Sequence, residues 1–137
     1  MAARLVKACL DVGLVTTKDA EADAVRFYEG VLGFVHDFDV PFPGMGIVKR
    51  YNCGESVFRL FVLEKPAAHA NSTDGLASQT GLRYITLTVS NLDELVGDAE
   101  QAGFPVISAP RLLRPGMRNA VIEDGMGVTV ELLQPVD

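Results

Sequence analysis

Along this chain the spacing of apolar side chains switches from strand-like to helical and back, twice, in the same order. From Asp11 to Thr16, and again from Tyr84 to Val89, positions alternate as on a strand with one face turned inward. Helical spacing follows each run. In the first, Ala24, Val25, Tyr28, Val31 and Leu32 share a face behind Asp19, a residue suited to capping, which predicts a helix over about 20–32. In the second, Leu92, Leu95, Val96, Ala99 and Ala102 share a face, which predicts a helix from about Asn91. Both stretches end in Gly-Phe, at Gly33-Phe34 and Gly103-Phe104, with glycine where a left-handed C-terminal cap is wanted. The apolar runs beyond are short, alternating and divided by Gly or Pro, as strands are.

The likeness of the two halves holds at nearly constant offset. Pro43-Gly44-Met45 recurs as Pro115-Gly116-Met117 after 72 residues, and Gly33-Phe34 recurs after 70. Asp11–Thr16 corresponds to Tyr84–Val89 at 73, and Val57-Phe58-Arg59-Leu60 to Thr129-Val130-Glu131-Leu132 at 72. Four landmarks in one order predict a tandem duplication of a βαβββ unit. The expected organisation is one α+β domain, 1–137, made of modules at about 5–65 and 81–136. The connecting stretch, about 66–80, is rich in Ala, Ser, Asn, Thr and Gly, as a surface linker should be.

Alternation then sorts the faces. Val12, Leu14, Ile85, Leu87 and Val89 are expected to pack toward the helices, with Phe58, Leu60, Val62, Val128, Val130 and Leu132. The opposite face receives Asp11, Arg59, Tyr84 and Glu131 at equivalent mid-strand positions of the two modules. If the sheet curls, these four converge and are the candidate catalytic groups. Val15, Val57, Phe61, Thr86, Thr88, Thr129 and Leu133 would line the same face as substrate contacts. Arg118, near Arg111 and Arg114 at the second Pro-Gly-Met, is a further candidate for drawing in an anionic substrate. Two readings of the quartet stay open: a self-satisfied polar network, or a set that orients a ligand between mostly apolar walls.

Bulk properties narrow the partners. Twelve basic against eighteen acidic side chains leave a net charge of −6, and no basic stripe interleaved with aromatics is present. Such a surface repels phosphate backbones, so nucleic acid is not an expected partner. No apolar run approaches the roughly 20 residues of a membrane span, and the first residues lack a signal-peptide core. A cytoplasmic protein without membrane contact is expected. Cys9 and Cys53 are too few for a disulfide framework and read as two buried thiols in a reducing compartment. His36 and His69, the only histidines, fall on a strand and in the linker, where surface or edge roles are expected. The apolar, turn-like segment 39–46 suits either a lid or a protomer contact.

The run Asp11-Val12-Gly13-Leu14-Val15, followed by Phe27-Tyr28-Glu29-Gly30-Val31-Leu32-Gly33-Phe34, resembles the opening of the vicinal oxygen chelate superfamily. That superfamily includes glyoxalase I, bleomycin-resistance proteins, fosfomycin-resistance enzymes and extradiol dioxygenases. The stretch Glu123-Asp124-Gly125-Met126-Gly127-Val128-Thr129-Val130-Glu131-Leu132 resembles its D-P-D-G-x-x-x-E-L signature, here without the proline. The resemblance spans both halves and implies paired modules in a cup-shaped, eight-stranded mixed sheet with helices outside. Metal-dependent relatives place His on each module's first strand and Glu, Gln or His on its last. Here those four slots read Asp11, Arg59, Tyr84 and Glu131. A guanidinium cannot ligate a cation and a neutral phenol is a poor ligand, so no metal and no other cofactor is expected. Three functions follow. One is a metal-independent isomerase, epimerase or lyase in which Asp11 or Glu131 moves a proton and Arg59 or Tyr84 stabilises charge. The second is a non-catalytic small-molecule binding or resistance protein. The third, ranked below both, is a metal-dependent lyase or dioxygenase with an altered site. Relatives usually pair, and open sheet edges associate readily, so a homodimer is expected.

Overall fold

A computed structural model describes residues 1–137. The chain is α+β, with tandem βαβββ modules. In the first module β1 (Val12–Thr17) leads into α1 (Glu21–Val25), then β2 (Val35–Phe42), β3 (Gly46–Cys53) and β4 (Ser56–Leu63). In the second, β5 (Tyr84–Thr88) leads into α2 (Leu92–Gln101), then β6 (Val106–Arg114), β7 (Met117–Glu123) and β8 (Thr129–Pro135). Hydrogen bonding divides the strands into two four-stranded mixed sheets of matching order, β1-β4-β3-β2 and β5-β8-β7-β6. The first and last strands of each module run parallel, which requires a long crossover, and the helix supplies it.

Register confirms the duplication residue by residue. Val12 lies opposite Phe58 and Gly13 opposite Arg59; at offsets of 73 and 72, Ile85 lies opposite Val130 and Thr86 opposite Glu131. The repeated Pro-Gly-Met falls at the β2–β3 turn and again at the β6–β7 turn, so segment 39–46 is a hairpin tip.

Contacts group residues 1–21 with 34–67, and residues 22–33 with 68–137. The first helical segment therefore packs with the second module's residues, although sequence order assigns it to the first. Its aromatic content explains the choice. Phe27 meets Phe104 edge-on with ring centroids 4.9 Å apart, and the fully buried Tyr28 donates its hydroxyl to Asp124 at 2.7 Å. Arg26 lies over the Phe104 ring at 4.4 Å and also donates to the Ala102 carbonyl. Beyond Val25 the helix widens into a π-helical stretch, Arg26–Val31, where Leu32 N–H reaches the Phe27 carbonyl at 2.9 Å. Such insertions rotate the side chains that follow them. Asp19 precedes this helix, and its carboxylate accepts the Thr17 hydroxyl, which holds its pKa below the usual carboxylate value.

α2 lies against β6, β7 and β8 and presents Leu92, Leu95, Val96 and Ala99 inward, as its spacing predicts. Asn91 makes no side-chain capping bond; the Leu92 N–H is instead capped by the Gln134 side chain of β8 at 2.8 Å. At the other end Gly103 adopts φ 85°. Its N–H bonds Glu100 and that of Phe104 bonds Ala99, the paired bonds of a Schellman cap. The first unit's core is Phe34, Tyr51, Phe58, Leu60 and Val62; the second's centres on Phe27, Tyr28, Leu92, Ile122, Val130 and Leu132.

The linker is more ordered than its composition suggests. Arg83, only 6% exposed, donates to Asn71 Oδ1 at 2.6 Å, the Gly75 carbonyl at 2.9 Å and the Ser72 carbonyl at 3.2 Å. Asn71 in turn donates to the Met126 carbonyl at 3.1 Å. No helix is long and apolar enough to cross a membrane.

Candidate functional site

Strand alternation places the predicted polar groups on one face of each sheet, and each sheet builds its own cluster. On the first, Asp11 just precedes β1 and accepts the Val57 N–H at 2.8 Å and Lys7 Nζ at 3.0 Å. Arg59 Nη1 stands 3.4 Å from its other oxygen. The Val57 amide, then Lys7, then Arg59 lower the Asp11 pKa to about 2. A carboxylate held so acidic is a weak base and a firm counter-ion. Val57 is buried and Phe61 half-buried on this face, while Val15 is 59% exposed.

On the second sheet, Glu131 of β8 is held by neutral donors. The Thr86 hydroxyl reaches Oε1 at 3.1 Å and Asn119 Nδ2 reaches Oε2 at 3.3 Å. Asn119, 3% exposed on β7, accepts in turn from Arg111 Nε at 3.4 Å. Tyr84 and Thr88 flank Thr86 on the same side of β5, with the Tyr84 ring 58% exposed. Thr129, opposite Tyr84, is buried, and Leu133, opposite Thr88, is half-buried. Asn119 is a member of this cluster that sequence reasoning missed, and Arg111, expected only at the rim with Arg114 and Arg118, joins it through Asn119. The signal for Asn119 was available, because it lies opposite Leu133 once β7 and β8 are paired.

Arg118 sits elsewhere. Its guanidinium forms two bonds with Asp93 of α2, at 2.9 and 3.0 Å, so it points to the helix side rather than to Glu131. That contact lowers the Asp93 pKa and raises that of Arg118. Alternation accounts for the difference, since Arg118 and Asn119 are adjacent on one strand and must face opposite ways.

The most deeply buried ionisable pair is structural. Asp124, in the D-G segment between β7 and β8, is fully buried and accepts Tyr28 Oη, Met126 N–H at 2.7 Å and Val128 N–H at 3.1 Å. Burial raises its pKa against these donors, and burial first, then Asp124, raises that of Tyr28. A shallow cleft of about 160 Å³ beside Lys18 and Lys49 is matched internally, with Lys49 3.7 Å from both Glu21 and Asp39. His36, exposed on β2, pairs with Asp39 at 2.7 Å, and Cys9 and Cys53 are free thiols, half-buried rather than buried as their sequence contexts suggest.

The divalent cation that the resemblance brings to mind does not fit these residues. In the first-strand and last-strand positions, Arg59 places a fixed positive charge beside Asp11, and both Glu131 oxygens already accept from neutral donors. No group of three or more His, Cys, Asp or Glu side chains is arranged to hold a metal ion.

Comparison with known proteins agrees with this architecture. The profile of the Glyoxalase/Bleomycin resistance protein/Dioxygenase superfamily matches residues 10–132. The fold is similar to that of a glyoxalase family protein from Bacillus cereus, with TM-score 0.81 at 18% identity, covering 100% of this chain and 99% of that one. It is also similar to a lactoylglutathione lyase from Agrobacterium tumefaciens, with TM-score 0.60, 21% identity and coverage of 95% and 96%. A fosfomycin resistance protein from Mesorhizobium loti gives TM-score 0.62, 17% identity and coverage of 93% and 91%. No curated protein sequence matches.

Proposed function

The chain belongs to the Glyoxalase/Bleomycin resistance protein/Dioxygenase superfamily, and from that premise we propose a metal-independent isomerase, epimerase or lyase in which Glu131 moves a proton. The observation that carries this reading is the contrast between the two strand-face carboxylates. Asp11 is neutralised by Lys7 and Arg59, whereas Glu131 is oriented by an alcohol and an amide and forms no ion pair, Arg111 reaching it only through Asn119. Neutral donors fix a carboxylate in place without setting a fixed counter-charge against it.

The chemistry follows from what shares the face. A C–H bond next to a substrate carbonyl breaks, its proton forms an O–H bond on Glu131, and the electron pair moves into an enolate. Tyr84, whose ring is exposed on the same side of β5 as Thr86, donates to the enolate oxygen. Return of the proton to another face or carbon gives epimerisation or isomerisation; loss of a β-substituent gives a lyase. Asp11 serves as counter-ion to Arg59 and takes no proton.

The test is exchange of α-hydrogens for deuterium in a panel of small hydroxy and keto carbonyl compounds and their thiol adducts, followed by proton NMR. Wild-type protein exchanges at least one compound, Glu131→Gln none, and Asp11→Asn retains exchange. No exchange by wild type, or equal exchange by Glu131→Gln, defeats the reading. A sequestering protein of the bleomycin-resistance kind is the second reading, favoured by the exposed apolar side chains of the first sheet, among them Val15. It predicts tight binding with no exchange.

A further inference from the structure

The pairing of β3 with β4 sets Arg50 directly opposite Arg59. Side chains so placed share a face with their β-carbons only about 5 Å apart, and like charges there repel. The one carboxylate within reach of Arg59 is Asp11, already engaged by Lys7 and the Val57 amide. Arg50 has no acidic partner. Its guanidinium lies 4.9 Å over the Phe38 ring, and its Nε is buried without an acceptor. Asp11 thus answers Lys7 and Arg59, while Arg50 beside Arg59 has no carboxylate partner, on a protein whose net charge is −6. The repulsion and the unmatched buried donor both cost free energy, and a bound anion would relieve both.

The surroundings are aromatic. Phe38 lies opposite Arg50 on β2, and Phe61 is two residues beyond Arg59 on the same side of β4. Phe42 packs at 5.6 Å from Phe61. Phe38 and Phe42 are nonetheless 47% and 49% exposed. A row of arginines bordered by half-exposed rings offers fork-shaped donors to an oxyanion and flat apolar surface to whatever carries it.

We infer that this face of the first sheet binds an amphipathic organic anion. Its carboxylate or phosphate oxygens bridge Arg50 and Arg59, and its aromatic body rests on Phe38, Phe42 and Phe61. The anion relieves the repulsion between the two guanidiniums. Asp11 competes with it for Arg59. This inference rests on binding alone and stands apart from proton transfer at Glu131.

The full chain is titrated with benzoate, phenyl phosphate and neutral benzamide, following arginine Nε–H and backbone amide signals in proton–nitrogen correlation spectra. At least one anion shifts the Arg50 and Arg59 signals saturably, with Kd roughly millimolar for so small a probe, and benzamide does not. The tighter anion identifies the head group. Arg50→Gln weakens binding about tenfold, a typical cost of one charge-assisted contact. Arg50→Lys, which keeps the charge, falls between Gln and wild type. Asp11→Asn tightens binding several-fold by releasing Arg59, the opposite of what general loosening would cause. Absence of saturable shifts with both anions, benzamide binding as well as they do, or equal affinity across the three residue-50 proteins overturns the inference.

Discussion

Replacing Tyr28 with Phe removes one oxygen from a place where nothing can substitute for it. Tyr28 and Asp124 are both fully buried, and the hydroxyl is one of three donors to the Asp124 carboxylate. The ring contacts with Phe27 and the helical backbone stay in place, so the change isolates the hydrogen bond. A bond to a charged acceptor contributes about 1.5–3 kcal/mol, and two backbone donors persist, so a loss of about 2 kcal/mol is expected. For a chain of this size that is a fall in Tm of roughly 6–10 °C. The pH dependence has a definite sign. Burial already raises the folded pKa of Asp124 above its unfolded value, and the Tyr28 hydroxyl opposes that rise. An acid with a raised folded pKa costs stability as pH rises from the unfolded value through the folded one. Tyr28→Phe extends that window upward, so its deficit is largest at neutral pH and shrinks toward pH 4. Urea unfolding of both proteins at pH 4.5, 6 and 7.5 reads this directly. A deficit under about 0.5 kcal/mol at neutral pH, or one that grows in acid, would refute the assignment of Asp124 and Tyr28 as the buried lock of the second unit.

Arg83→Met should release the linker while sparing both sheets, because its guanidinium bonds only Asn71, Ser72, Gly75 and Ser78; limited proteolysis should then cut within 68–80 at least tenfold faster. Asp11→Asn should flatten the acid limb of the stability curve. The folded pKa of Asp11 is lowered to about 2, so its contribution is present above the ordinary value of 3.8 and lost as pH falls through about 2; unchanged melting profiles between pH 5 and 2 would count against the pairing. Arg118→Ala should shift Tm by no more than about 2 °C, since its partner Asp93 is exposed and solvent screens the contact. We also propose that the protein is a homodimer, as its open sheet edges suggest; sedimentation showing a monomer at micromolar concentration would exclude this.

Local rules carried the sequence a long way. Period-two alternation and the offsets of 72 and 73 matched Asp11 with Tyr84 and Arg59 with Glu131, and the pairing of Gly13 with Arg59 and of Thr86 with Glu131 repeats at those same offsets, because register in a half-buried sheet follows from which side chains must face inward. The glycines at 33 and 103 marked both helix ends for an equally local reason, as left-handed backbone excludes most side chains. Alternation also assigned Asp11, Arg59, Tyr84 and Glu131 to one side of their strands. It contained the warning about Arg118, whose neighbour Asn119 occupies the Glu131 side.

What the tertiary structure alone decided are matters of partnership between distant segments. Periodicity shows that residues 22–33 have an apolar face, yet not which surface covers it; Phe104 and Asp124, far along the chain, draw that face to the second unit. Composition marks 66–80 as a linker, and only the buried guanidinium of Arg83 shows that it is tied down. The capping of α2 by Gln134, the neutral cradle of Thr86 and Asn119 around Glu131, and the facing of Arg50 with Arg59 have the same origin. Each depends on side chains brought together by sheet pairing. A sequence states which groups a strand presents on each face, whereas their charge, basicity and freedom to bind are set by neighbours from other strands, and those exist only once the chain has folded.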